Sequence, residues 1–212
     1  MTKKIRCLIS AGPTREWIDP VRFVSNPSTG KMGYALTEEA VARGFEVDLV
    51  SGPVSLSAPP GARIHHVVTA AEMEKTMKEL FDKAHLVIMA AAVCDHRPKR
   101  QWSEKLKKDD FPKDFEWVKN NDIVLGLSAA RKNDQKIIGF AAETNNSMAH
   151  AAEKLASKGL DWIALNEVSR KGIGFASDFN DVTLLSREGE TIALGRDTKK
   201  NTARKILDRV WP

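Results

Sequence analysis

The stretch Leu86-Val-Ile-Met-Ala-Ala-Ala-Val-Cys-Asp95 decides the fold. From Leu86 to Val93 every residue is apolar. A strand with one wetted face alternates apolar and polar residues, whereas an unbroken apolar run suits a central parallel strand covered by helices on both faces. The run closes on small side chains and then Asp95, so a flat ligand has room to approach the backbone at the strand's carboxyl end.

Moving upstream, Ala71 to Ala84 predicts a helix with Met73, Met77 and Leu80 on one face, preceded by strands at Phe45–Ser51 and Ile64–Thr69. Gly30 to Arg43 has Met32, Ala35, Leu36, Ala40 and Val41 at helical spacing and stops at Gly44, a good helix terminator. Ile5 to Ser10 is the first strand. Downstream, Asp95 to Lys113 is polar, basic and interrupted by Pro98 and Pro112. Such length without periodicity predicts a functional or disordered segment, read here as a mobile basic loop at about 96–113. Order resumes with a helix over Asp122–Lys132, a strand over Lys136–Ala141, a helix over Asn145–Lys158 closed by Gly159, and a strand over Trp162–Leu165. Asp181–Ser186 and Thr191–Leu194 flank Arg187-Glu-Gly-Glu190 as a hairpin, and Lys199–Val210 is a last amphipathic helix. Six strand–helix units predict an α/β fold: a doubly wound, mostly parallel, Rossmann-like sheet with helices on both faces and a C-terminal β-hairpin, in one domain over 1–212.

The composition agrees with a globular domain. Hydrophobic residues are 42% and charged ones 29% of 212, which excludes collagen, coiled coil, disulfide scaffold and disordered chain. Lys+Arg 33 against Asp+Glu 28 leaves a net charge of +5, mild enough to allow anionic partners without choosing among them. The longest apolar run, Leu86–Cys94, is far short of the roughly 18 residues of a spanning helix, so no membrane partner is expected. Met1 to Ser10 has no signal-peptide core, which makes the expected location cytoplasmic. Cys7 and Cys94 lie in strand-like runs and read as small core hydrophobes.

Ligands of such sheets bind beyond the strands' carboxyl ends. Ser10–Glu16 and Asp19–Gly33 bring hydroxyls and glycines, among them Gly12 and Thr14, to the start of a helix. That is either an anion site on free N–H groups or simply an N-cap at Ser28 or Thr29. Two nucleotide motifs fail: a P-loop would need Gly at Ser25 and a hydroxyl at Met32, and a dinucleotide fingerprint would need a second and a third glycine after Gly12, in a stretch that holds Pro13 and Glu16 instead. A short-chain reductase would need Lys four residues after its Tyr, but Glu38 follows Tyr34. After the fourth strand, Ala91 and Ala92 leave room for a flat ligand, and Asp95 is suited to a sugar hydroxyl or a metal-bound phosphate; the bland reading is tight packing ended by a solvated Asp. His96 reads as a surface-loop His. Lys105-Leu-Lys-Lys108 is either a lid that neutralises phosphate charge or a solvated run. For RNA, only Trp102 and Trp117 offer nearby stacking faces. Lys154 and Lys158, four apart, share one helix face.

In order along the chain stand Gly12-Pro-Thr-Arg-Glu16, Asp19-Pro-Val-Arg-Phe-Val-Ser-Asn-Pro-Ser-Thr-Gly-Lys-Met-Gly33, Ala90-Ala-Ala-Val-Cys-Asp-His-Arg-Pro98, Lys105-Leu-Lys-Lys108, Asn121-Asp-Ile-Val124 and Gly139-Phe-Ala-Ala-Glu-Thr144. This series resembles the phosphopantothenoylcysteine synthetase family of coenzyme A biosynthesis over essentially the whole chain. The resemblance implies a ligase that joins 4′-phosphopantothenate to L-cysteine through an acyl-cytidylate, converting CTP to CMP and pyrophosphate with Mg²⁺. It puts Gly12, Thr14, Ala91, Ala92, Asp95, Lys105, Asn121, Asp122, Ile123, Val124, Phe140, Lys154 and Lys158 at nucleotide-binding positions. It puts Asn26 on the acyl-nucleotide, with Arg22 beside it on the substrate side, and makes Asn26 and Lys105 the catalytic pair. Metal ligands stay unassigned. It further implies a homodimer, no flavin, no nucleic acid, and a separate phosphopantothenoylcysteine decarboxylase in the pathway. Pro13 and Asn121 depart from the family's usual Gly and Pro, which touches loop geometry more than chemistry. The alternatives are the same ligase using ATP, or a nucleotide- or RNA-binding module without turnover.

Overall fold

The computed structural model describes residues 4–132, 134–143, 147–167, 174 and 176–212. Six strands run parallel at its centre: β1 (Arg6–Ala11), β4 (Glu46–Ser51), β5 (Arg63–His66), β6 (Leu86–Met89), β9 (Lys136–Glu143) and β10 (Trp162–Glu167). Two antiparallel strands, β11 (Phe179–Ser186) and β12 (Thr191–Thr198), extend the same sheet beyond β10, so the sheet order is β12-β11-β10-β9-β6-β1-β4-β5. Counting only the parallel strands in chain order, this is 3-2-1-4-5-6, with the reversal of direction between β1 and β6.

Strand residues alternate between two cores. Cys7, Ile9, Leu86, Ile88, Ile138 and Ala164 face α1 (Lys31–Ala42) and α5 (Lys199–Val210), which bring Leu36, Ala40, Ile206 and Val210. Leu8, Val87, Met89, Ile137 and Ile163 face α2 (Ala70–Phe81), α3 (Ile123–Ala129) and α4 (Ser147–Ser157), which bring Met73, Met77, Leu127 and Leu155. Burial of both faces is why the apolar runs are unbroken.

Four features differ from the sequence reading. The run from Leu86 is strand only as far as Met89. Beyond it only the β1 side is kept, with Ala90 N–H on the Ser10 carbonyl at 3.2 Å and Ala92 N–H on the Gly12 carbonyl at 2.9 Å, while the Asn26 amide holds the Ala92 and Val93 carbonyls at 3.1 Å each, so the alanines part from β9 and line a cleft. Second, β4 and β5 are joined without a helix: Pro53, Pro59 and Pro60 crowd this connection and remove the N–H groups a helix needs. Third, the long 12–30 connection contains an antiparallel pair, β2 (Arg15–Trp17) with β3 (Phe23–Ser25), and the basic loop opens as β7 (His96–Pro98), paired with β8 (Trp117–Lys119). Fourth, α1 is capped by Gly30 at φ 76°, not by Ser28 or Thr29; the Ser28 hydroxyl instead accepts from the Gly30 N–H. A Cβ at Gly30 would also meet Val54 at 2.9 Å, so glycine is required there twice over. The expected helix start at Asn145, and Thr144 of the last motif, lie outside the described residues.

Candidate active site

The carboxyl ends of β6, β9 and β10 and the start of α1 enclose a cleft of about 870 Å³. One wall is Ala90 to His96 after β6; opposite stand Asn120 to Val124 and Phe140 to Ala142; Lys154 and Lys158 reach in from α4 and its end; Asn26, Ser28 and Gly30 to Gly33 close a third side. The structure therefore brings together Asn26, Ala91, Ala92, Asp95, Asn121, Asp122, Ile123, Val124, Phe140, Lys154 and Lys158 on one surface.

Lys154 and Lys158 are each paired with a carboxylate. Lys154 Nζ lies 2.6 Å from a Glu143 oxygen, and His150 approaches the other Glu143 oxygen at 3.5 Å. Burial pushes the Glu143 carboxyl up, but these two bases outweigh it and hold it below the usual carboxylate range. Lys158 Nζ lies 3.1 Å from Asp122, whose other oxygen caps α3 by accepting from Leu125 N–H at 3.0 Å. Asn121 donates to Glu74 of α2 at 2.9 Å. Any anion arriving at these lysines would have to compete with Glu143 and Asp122 for them.

Three residues from the nucleotide set, Gly12, Thr14 and Lys105, are not on this surface. Thr14 is fully buried: its hydroxyl accepts from Cys94 N–H at 3.0 Å and its carbonyl accepts from the Ser25 hydroxyl at 2.7 Å. Gly12, at φ 76°, lies behind the alanines with its carbonyl on Ala92 N–H. Both lie behind the wall and are not among the residues that line the cleft. Lys105 and Arg22 also stand apart, lining a second, shallower depression with Leu106, Lys107, Lys108 and Phe111. Asn26 does reach the cleft, but its amide nitrogen is spent on the Ala92 and Val93 carbonyls, so it braces the loop after β6. Both thiols are inert by environment: burial pushes Cys7 and Cys94 up, and Cys94 Sγ points at the Thr14 carbonyl.

Sequence reasoning passed over the far end of the cleft. Lys199, first residue of α5, is buried there; its ammonium donates to the Asn180 side-chain oxygen at 2.9 Å, the Gly174 carbonyl at 3.1 Å and the Ser177 carbonyl. Burial and the neighbouring Lys31 lower its pKa to about 8, with Asp178 opposing. Lys31, first residue of α1, pairs with Asp178 at 2.6 Å. Two lysines at the first positions of two helices run against the macrodipole, an unfavourable placement legible in the sequence once the helix starts are known.

Strand order and cleft define a doubly wound α/β protein of the Rossmann type, with a ligand cleft at its switch point. The chain belongs to the DNA/pantothenate metabolism flavoprotein C-terminal domain family, whose model matches residues 2–212. It is 44% identical over 204 residues to the coenzyme A biosynthesis bifunctional protein CoaBC of Bacillus subtilis, covering 96% of this chain and 50% of that protein. The CoaBC of Escherichia coli K12 is 41% identical over 211 residues, covering 98% and 52%. The chain thus spans about half the length of the curated relatives it matches. The crystal structure of the C-terminal domain of CoaBC is similar with TM-score 0.82 and 40% identity, covering 97% of this chain and 93% of that one. The family resemblance and the α/β fold read from the sequence are both borne out. Among the described residues, no helix is long and apolar enough to cross a membrane.

Proposed function

We propose that this chain is a phosphopantothenate–cysteine ligase that works through an acyl-cytidylate. The observation that carries the reading is the single cleft that gathers Ala91, Ala92, Asp95, Asn121 to Val124, Phe140, Lys154 and Lys158, in a chain whose relatives are coenzyme A biosynthesis proteins. A further chain of the same fold, a Cab2 mutant solved in complex with phosphopantothenate-cysteine, aligns with TM-score 0.76 at 16% identity; the likeness speaks for the fold alone.

In the first step the 4′-phosphopantothenate carboxylate attacks the α-phosphorus of CTP and pyrophosphate leaves. In the second, the cysteine amine attacks the acyl carbon, CMP leaves, and the amine gives up a proton. Both partners of the first step are anions, so the site must supply positive charge where charge builds up and must keep water from the acyl phosphate. Lys154 and Lys158 serve the polyphosphate once it displaces Glu143 and Asp122. The alanines admit the flat base and ribose, and Phe140 and Val124 give the apolar side of that slot. Lys105, on the basic arm, supplies further charge when the arm covers the cleft, and Arg22, hydrogen-bonded to that arm at Leu106, would come to the substrate side with it. Among the described residues no cluster of three or more His, Cys, Asp or Glu is disposed to hold a metal. That fits Mg²⁺ held mainly by phosphates and water, with Asp95, exposed at the cleft edge, as the carboxylate nearest to hand. When bound, Mg²⁺ supplies charge neutralisation of the triphosphate.

The test is to incubate the chain with 4′-phosphopantothenate, L-cysteine, Mg²⁺ and either CTP or ATP, and to follow pyrophosphate, nucleoside monophosphate and 4′-phosphopantothenoylcysteine by mass spectrometry. Product formed faster with CTP supports the reading; faster turnover with ATP moves it to the ATP-dependent ligase. Release of neither pyrophosphate nor monophosphate with either nucleotide rejects it. In solution we expect a homodimer with no nucleic acid bound.

A further inference from the structure

The Asp19-Pro-Val-Arg22 motif belongs to the segment compared above, yet Asp19 has no part in the chemistry so far described. Its side chain is fully buried in the turn that joins β2 to β3. One carboxylate oxygen accepts from the N–H groups of Val21 at 2.8 Å and Arg22 at 2.9 Å, which closes the turn. The other accepts from the N–H of Leu106 at 3.2 Å, eighty-seven residues along the chain and next to Lys105. Arg22 completes the grip: its Nη2 donates to the Leu106 carbonyl at 2.7 Å, while its Nε lies 3.5 Å from the Asp19 carboxylate. Leu106 is therefore held by both of its main-chain polar groups.

The arm beyond this point has its own small core. Phe115 meets Trp102 and Phe111 edge-on with ring centroids 6.1 and 5.5 Å apart, and lies 6.1 Å from Trp117. The Arg22 guanidinium lies over the Phe111 ring at 4.6 Å, and Trp102 N–H donates to the Ile18 carbonyl at 2.9 Å. A side chain as long as lysine is placed no better than its backbone, and here the only carboxylate touching the backbone of the Lys105–Lys108 run, among the described residues, is Asp19.

We infer that Asp19 is a positioning residue: together with Arg22 it clamps Leu106 and so sets where Lys105 stands when the basic arm serves the cleft. This rests on the ligase reading for its kinetic consequence, but the clamp itself can be measured without turnover. Burial pushes the Asp19 carboxyl up, and the N–H donors and the Arg22 charge outweigh that, so it stays ionised through neutral pH.

The test compares Asp19→Asn, Lys105→Gln and the double variant. A misplacement of about 1 Å at a catalytic group costs up to about 100-fold in rate, so Asp19→Asn is expected to lower kcat about 10- to 100-fold with a smaller change in KM. If Asp19 acts through Lys105, the double variant is no slower than Lys105→Gln alone. Tryptic cleavage after Lys105, Lys107 and Lys108 should speed up in Asp19→Asn at temperatures where circular dichroism shows the chain still folded. Should Asp19→Asn fail to fold, Leu106→Pro removes the same N–H from the arm side, with cleavage then read after Lys107 and Lys108 because trypsin does not cut a Lys–Pro bond, and Leu106→Ala, which keeps the N–H, is the control; only the first should free the arm. Multiplicative losses in the double variant, or unchanged arm cleavage in both Asp19→Asn and Leu106→Pro, overturn the inference. Freed arm cleavage in a chain without ligase activity would leave the clamp standing and reject the ligase reading instead.

Discussion

Replacing Gly33 with alanine tests the packing that builds the cleft. Gly33 lies in the first turn of α1, where α1 crosses β1. A Cβ there would sit 2.5 Å from the Ala11 Cβ, 3.1 Å from the Ala11 Cα and 3.2 Å from the Ser10 carbonyl oxygen. Carbon atoms at rest lie about 3.5–4.0 Å apart, so α1 must retreat by about 1 Å. The obstacles belong to the backbone of a central strand and cannot rotate away, which places the cost near the upper end of overpacking, about 3 kcal/mol. Alanine returns about 1 kcal/mol of helix propensity. The net expectation is a loss of about 2 kcal/mol, or about 4–8 °C in melting temperature for a chain of this size. Urea unfolding followed by tryptophan fluorescence should show a lower midpoint with unchanged slope. Gly126→Ala is the internal control, because Gly126 is exposed within α3 and nothing lies within 4 Å of its Cβ position; it should gain up to about 1 kcal/mol. If Gly33→Ala unfolds at the same or higher urea than the unaltered chain, the close approach of α1 to β1 is wrong.

Three further outcomes are expected. Lys105→Gln should lower turnover while leaving the melting temperature unchanged, since Lys105 is exposed on the arm; equal kinetics would remove it from the mechanism. Asn26→Asp turns a donor to the Ala92 and Val93 carbonyls into a carboxylate facing them, and should cost about 1–3 kcal/mol of stability as well as slowing acyl-nucleotide formation; loss of rate with stability intact would return Asn26 to a purely catalytic role. Lys199 titrates near 8 in the folded chain, below its ordinary value, so between pH 8 and 10 the unfolded chain binds more protons and stability from this group rises with pH. A Lys199→Met variant should lose that rise; parallel pH–stability curves for the two proteins would contradict it.

The central strands were legible because burial on both faces leaves its mark as continuous apolar runs, and the helices because their buried stripes recur at helical spacing. The cleft-lining groups Ala91, Ala92 and Asp95 follow from the same logic, since they come directly after a readable strand. What stayed hidden depends on groups far apart in sequence. The end of β6 at Met89 is set by Gly12 and Asn26, and the depth of Thr14 by the loop folded over it. Lys199 and Lys31 meet at one end of the cleft only because two helices from opposite ends of the chain pack on the same face of the sheet.

The sequence by itself determined the fold class and the family, because apolar periodicity and ordered motifs are local properties. Only the tertiary structure decided which motif residues line the cleft and which lie behind its wall. Gly12, Thr14 and Asp19 sit within the same run of motifs as Asn26 and Arg22, and no local pattern separates a hydroxyl aimed at solvent from one satisfied by Cys94 N–H. Hydrogen-bond partners that lie eighty residues away carry no periodic signature, so the division between structural support and chemical surface appears only when the chain is folded.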